Sequence, residues 1–170
     1  MAVGNLELIK SETSGSAVSS FDVDNIFSAD YDVYMLQLEC GNGSTLQNLN
    51  LRYRTSGGST ISTSTYDVAD LDMQSNATFG ENRATNGTQI PRQLVTQTGL
   101  GNSATIYIFN PYDSSSYTFT LNQQANFYSG ILNGRKQISV EKTAQSYTGI
   151  NFFPTTGTVD NIKVSVYGVK

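Results

Sequence analysis

The chain has no histidine, no tryptophan, one cysteine and three prolines among its 170 residues. Without histidine there is no Ser-His-Asp triad, no imidazole ligand for zinc and no imidazole base working near neutral pH. One cysteine, Cys40, permits neither an intrachain disulfide nor a thiolate cluster. It follows Met35-Leu36-Gln37-Leu38-Glu39 in phase with an alternating strand, so it reads as a small buried hydrophobe. Charge is scarce as well: 14% of residues are Asp, Glu, Lys or Arg, against about 25% in ordinary soluble domains. No run of about 18 apolar residues occurs, so no membrane-spanning helix and no membrane insertion is expected. The opening Met1-Ala2-Val3-Gly4-Asn5 has neither the basic region nor the apolar stretch of a secretory leader. A protein made in a cytoplasm, and staying soluble or leaving by a non-classical route, is expected.

Ser, Thr, Asn and Gln take the place of charge, at roughly two residues in five. With 38% hydrophobic residues and a mass of 18.4 kDa, residues 1–170 fit one domain with one core. The net charge of −4 and a pI near 4.6 argue against nucleic acid as a partner. Residues 1–85 carry about −7 and residues 86–170 about +3, an imbalance available for contacts between copies unless the fold mixes the halves.

The periodicity is two almost throughout, which predicts strands. Clear ones open at Leu6–Lys10, run from Tyr31 to Cys40 before Gly41-Asn42-Gly43, and lead from Leu49 into Arg52-Tyr53-Arg54. Ser56-Gly57-Gly58-Ser59 is read as the turn of a hairpin into Thr60–Tyr66. Residues 67–73 have room for one or two helical turns, and residues 75–88 read as an irregular loop. Strands resume at Gln89-Ile90 and Leu94-Val95, pause at Gly99-Leu100-Gly101, return over Ala104–Phe109 and stop at Asn110-Pro111. Tyr117–Leu121, Lys136–Glu141 and Ile150–Phe153 alternate, with turns expected at Gly130 and Asn133-Gly134. The last run puts Ile162, Val164, Val166 and Gly168 on one face and Lys163, Ser165 and Tyr167 on the other. Nine to eleven short strands without a fixed repeat predict an all-β fold, a single-domain jelly-roll β-sandwich of two antiparallel sheets. Residues 1–10 serve as its first strand or as an N-terminal arm.

No constellation of residues singles out catalysis, a metal or a cofactor, so no catalytic, cofactor-binding or metal site is assigned and the chain is not expected to be an enzyme. Asp22, Asp24, Asp30 and Asp32 surround Ile26-Phe27 rather than the glycine of a calcium loop, and Asp22 and Asp24 read as the solvent face of a strand whose core face carries Phe21 and Val23. Asp67, Asp70 and Asp72 read as a solvated turn. Three Asn-x-Ser/Thr triplets, at Asn42, Asn76 and Asn86, read as loops. Alternation places Arg52 and Arg54 on one face and Tyr53 on the other, a pair of ion-pairing or interface arginines. The ten tyrosines, Tyr31, Tyr34, Tyr107 and Tyr147 among them, can bury a ring while keeping the hydroxyl bonded. Uncharged polar side chains give flat surfaces that pack against neighbours without large desolvation costs.

The order of several pieces resembles virion structural proteins of tailed bacteriophages, especially those of cyanobacteria. These pieces are Ser19-Ser20-Phe21 to Ile26-Phe27-Ser28, Tyr31-Asp32-Val33-Tyr34, Leu49–Arg54 before Ser56-Gly57-Gly58, Ile108-Phe109-Asn110-Pro111, Gly149–Phe152, Gly157-Thr158-Val159 and Val164–Gly168. The ending Val166-Tyr167-Gly168-Val169 also looks like the closing strand of tumour-necrosis-factor-like trimeric jelly rolls, an analogy of fold alone. The resemblance implies a capsid decoration (cement) protein, a homotrimer on the outer capsid surface of the virion that binds the major capsid protein and is made in the host cytoplasm. The alternative it implies is a tail fibre or tail-tip component whose loops near Ser56–Ser59, residues 76–88 or Tyr112–Ser116 bind a host receptor or glycan.

Overall fold

A computed structural model describes residues 5–99 and 101–170, which build fourteen strands and no helix. In chain order they are β1 (Leu6–Thr13), β2 (Phe21–Val23), β3 (Val33–Cys40), β4 (Asn42–Gly43), β5 (Gln47–Arg54), β6 (Tyr66–Gln74) and β7 (Gly80–Gly87). The second half adds β8 (Ile90–Thr96), β9 (Asn102–Phe109), β10 (Thr118–Tyr128), β11 (Ile131–Glu141), β12 (Gly149–Pro154), β13 (Val159–Asp160) and β14 (Lys163–Val169). An eight-stranded sheet runs β1-β14-β3-β9-β10-β11-β6-β7 and a four-stranded sheet β2-β12-β5-β8, with β4 and β13 as a short extra ladder. All pairings are antiparallel. The chain changes sheet at most steps, so β1-β14-β3-β9 over β2-β12-β5-β8 is the eight-stranded jelly roll. Two inserted hairpins, β6–β7 and β10–β11, extend the larger sheet by four strands beyond β9.

The apolar core lies between the jelly-roll strands. Tyr34, Leu36 and Leu38 of β3, Ile106 and Ile108 of β9, and Val164 and Val166 of β14 join Leu49, Leu51, Ile150 and Phe152 of the smaller sheet in one cluster without exposed surface. Each such side chain contributes about 1.5–3 kcal/mol by leaving water. Cys40 lies among them, and burial pushes its thiol up to about 11. Gly168 is the one place in β14 where a side chain has no room: a Cβ there would meet the Tyr31 ring at 2.5–2.6 Å.

Several expectations are corrected. Residues 67–73 form the strand β6, not helical turns, because β11 and β7 pair with them on both sides and outweigh the propensity of so short a segment. Much of the expected loop 75–88 is β7. The hairpin after Ser56–Ser59 ends almost at once: Thr60 bridges Arg54 and Ile61 bonds Tyr53, after which the chain crosses into the larger sheet. Asn133-Gly134 lies inside β11, opposite Asn126 and Ala125, while the turn is at Ser129-Gly130. Asn42-Gly43 pairs with Val159–Asp160, and Asn86 lies in β7, so of the three Asn triplets only Asn76 is in a turn. Residues 6–10 belong to β1, which pairs along β14 with a bulge between Leu8 and Lys10; the first four residues of the expected arm lie outside the described part.

The charge imbalance is consumed inside the molecule. Arg92 and Arg135 meet Asp70 and Asp72, Lys142 meets Asp67, Lys163 meets Glu39, and Lys170 meets Glu7. In every one of these pairs the acid comes from the first half and the base from the second.

Candidate functional site

An antiparallel sheet with one packed face normally turns apolar residues inward and polar ones to water. The inserted hairpins do the reverse. On β10 the inward positions are Thr118, Thr120, Asn122, Gln124 and Asn126, and on β11 they are Asn133, Arg135, Gln137, Ser139 and Glu141; all are buried. Asp70 joins them from β6 and Gln93 from β8. The expectation that Asp70 and Asp72 sit in a solvated turn is therefore overturned: the Asp70 side chain is 2% exposed and that of Asp72 15%.

A distortion in β8 supplies much of the bonding for this interior. Between Leu49 and Leu51 of β5 the ladder shifts, and on β8 Arg92 takes a positive φ of 61°. The displaced carbonyls become acceptors. Pro91 receives Gln137 Nε2 at 3.0 Å, and Arg92 receives Gln124 Nε2 at 2.7 Å. Gln93 Nε2 donates to Gln137 Oε1 at 2.6 Å, and Asn122 Nδ2 donates to the Gln93 carbonyl at 2.9 Å. The Arg135 Nε lies 2.6 Å from Asp72 and 3.7 Å from Asp70, Arg92 stands 3.9 Å from both, and Asn82 donates to both carboxylates. Not every group is matched: among the described residues both amide atoms of Asn133, with Thr118 Oγ1, Asn122 Oδ1, Asn126 Oδ1 and Ser139 Oγ, are buried without a partner.

At the other end of this interior three rings stack. Tyr53 and Tyr147 have centroids 4.9 Å apart, and Tyr53 and Tyr66 6.3 Å apart. The Tyr147 hydroxyl donates to the buried Glu141, Tyr53 bonds Thr120, and the Tyr66 hydroxyl donates to the Ile61 carbonyl. Burial pushes all three phenols upward, and for Tyr147 the Glu141 carboxyl adds to the shift. This cluster is enclosed and ties the sheets together. Tyr53 and Tyr66 sit at alternating inward positions, which is the one sequence signal that could have marked them.

The outer face of the large sheet is where the apolar side chains went. The registers join Leu8 to Tyr167, Met35 and Tyr107, and carry the same row on through Leu121, Ile138 and Ala69. The neighbouring row runs from Leu6 through Val169, Val33, Phe109 and Phe119 to Val140. Two adjacent apolar rows thus cross the sheet from β1 to β11, the first reaching β6. They are most open toward their ends, where Leu8 is 57% exposed, Ile138 59% and Phe119 47%, while Met35 in the middle of the first row is 8% exposed. Near β7 the band deepens into a groove of about 610 Å³ lined by Val68, Ala69, Ala84, Phe119, Ile138 and Val140. The next row along the strands, Ser165, Gln37, Thr105, Gln123 and Lys136, is polar.

The other singled-out residues have structural partners. Arg54, 9% exposed, binds Asp24 at 2.7 Å and Asp22 at 2.9 Å, and the Asp24 carboxylate holds its guanidinium more firmly protonated. Arg52 donates to the Thr88 carbonyl at 2.9 Å and lies 4.4 Å over the Phe153 ring. Asp67 pairs with Lys142 at 2.8 Å, which lowers its carboxyl below the usual range. Tyr112 and Tyr117 are largely exposed.

No family model matches the chain, and no curated protein matches it in sequence. Among solved structures, the alginate lyase Aly36B in complex with an alginate tetrasaccharide aligns at 10% identity over 91% of this chain and 78% of its own, with a TM-score of 0.25. The VP2 subviral particle of infectious bursal disease virus aligns at 12% identity over 99% of this chain and 42% of its own, with a TM-score of 0.18. Likenesses this weak carry no argument about what the chain does.

Proposed function

We propose that the chain is a structural protein of a bacteriophage virion, a decoration protein that binds the outside of the head as a trimer and stabilises the shell. The observation that supports it is the open apolar band across the large sheet, 47–59% exposed at Phe119, Leu8 and Ile138. Exposed apolar bands of this kind mark surfaces that a partner covers, another protein among them. Work of this kind needs no reacting group. A trimer bridging neighbouring subunits of the major capsid protein binds the closed shell and not the free subunit, so its binding free energy adds to shell stability by mass action. Three linked footprints raise the affinity over one by ~10²–10⁴.

Antibody labelling of purified virions that encode this chain tests the assignment. Many copies spread over the head are expected. Label confined to the tail tip overturns the decoration role in favour of receptor binding, and unlabelled particles overturn both.

A further inference from the structure

A decoration protein touches both sister copies and a shell. We propose that the outer face of the eight-stranded sheet is the self-association surface and that its occupant is a second copy of this chain, a proposal that takes from the assembly reading only the premise that the band is covered by protein.

Size is the first argument. Eight strands about 4.8 Å apart span roughly 35 Å, and four outward rows spaced about 7 Å along each strand add roughly 25 Å. The face therefore offers on the order of 800 Å², about what one partner contributes to a standard stable interface. Chemistry is the second. Both rows are free of charge from β1 to β11, and apolarity of this kind marks homomeric interfaces more than contacts with a separately folded surface. A second copy matches such a band by presenting the same one, an isologous pairing that closes as a dimer and is distinct from the threefold contact proposed on the head, and sheet faces stack readily at about 10 Å. Charge at the rim is the third. Exposed Arg83 on β7 stands beside Ala69 at the end of the first row, and exposed Glu81, two residues before it on β7, ends the polar row alongside. Copies meeting at that end bring opposite charges together.

The test is light scattering coupled to size-exclusion chromatography on the full chain and three variants. Ile138→Lys and Phe119→Glu each place a charge in the band, and Ser114→Lys places one in the exposed loop before β10, off the sheet face. The wild type is expected to be oligomeric, and the two band variants are expected to associate about 100-fold more weakly, the effect of burying an unpaired charge. Ser114→Lys is expected to keep the wild-type mass. Circular dichroism checks that each variant is folded, and either folded band variant suffices. A monomeric wild type at tens of micromolar, or folded band variants with wild-type mass, overturns the proposal. Head binding separates the two ideas: an oligomer sensitive to Ile138→Lys but absent from virions leaves the self-association face standing and removes the virion role. A monomer that binds heads through Ile138 does the opposite.

Discussion

Arginine 135 is the cation on which the inverted interior depends, and its removal gives a sharp expectation. In Arg135→Met the side chain keeps the apolar part of its stem and loses its charge, leaving Asp70 and Asp72 without the guanidinium that now sits 3.7 and 2.6 Å away. Removing one partner of a buried pair costs about 3–5 kcal/mol. The lower end applies, because Asp72 keeps 15% exposure and Arg92 stays 3.9 Å from both carboxylates. With a urea slope of about 2 kcal/mol/M, a loss of about 3 kcal/mol moves the unfolding midpoint down by about 1.5 M. The assay is urea denaturation followed by circular dichroism at matched protein concentration, since association itself stabilises. Adding Asp70→Asn and Asp72→Asn removes the stranded charges and is expected to recover at least half of the lost midpoint. A shift below about 0.5 M in the single variant would show that water or Arg92 already neutralises these carboxylates, and the account of the interior would fail.

Three further outcomes follow from the same interior and its walls. The buried phenols of Tyr53 and Tyr66 are held above their unfolded value near pH 10, so the unfolded chain loses protons first and stability falls as pH rises past that point. The two together remove about 3 kcal/mol per pH unit, read as urea midpoints from pH 8 to 11.5; a flat profile through pH 11 contradicts their burial. Replacing Asn133, whose amide has no partner, by leucine is expected to stabilise by about 1 kcal/mol and raise Tm by about 2–4 °C, and a lower Tm would mean the amide is satisfied. Gly168→Ala forces the Tyr31 ring aside and is expected to cost about 1–3 kcal/mol. Tyr31→Ala in the same chain should make the two losses less than additive, and simple additivity would show that the ring is not the obstacle.

The architecture was legible because alternation survives wherever a strand has two different faces. Val164 and Val166 against Lys163 and Ser165 in β14 show the pattern in its ordinary sense, as does Tyr34, Leu36 and Leu38 in β3. What alternation cannot report is its sign. In β10 and β11 the period is equally clear, yet Asn122 and Gln137 point inward while Leu121 and Ile138 point outward. The same inversion hides β6: Ala69, Leu71 and Met73 alternate with Asp70 and Asp72, and in the sequence two acids at inward positions read as a turn because carboxylates usually seek water. Their partners, Arg92 and Arg135, lie on other strands and come near only through the hairpin insertions. The apolar band was invisible for the same reason, since its rows run perpendicular to the chain and combine one residue from each of many strands.

The two rims of the large sheet decide how such a molecule is allowed to grow. On β1 the ladder is broken by the bulge after Leu8, and Glu7, Lys10 and Glu12 are held in ion pairs with Lys170 and with each other. On β7 the free edge begins and ends in glycine and carries Glu81, Asn82, Arg83 and Asn86. Bulges, charges and weak strand formers are what keep sheets from adding strands end over end. With both of its borders blunted, the large sheet offers poor templates for another strand, and growth into fibres by edge-to-edge pairing of that sheet is disfavoured.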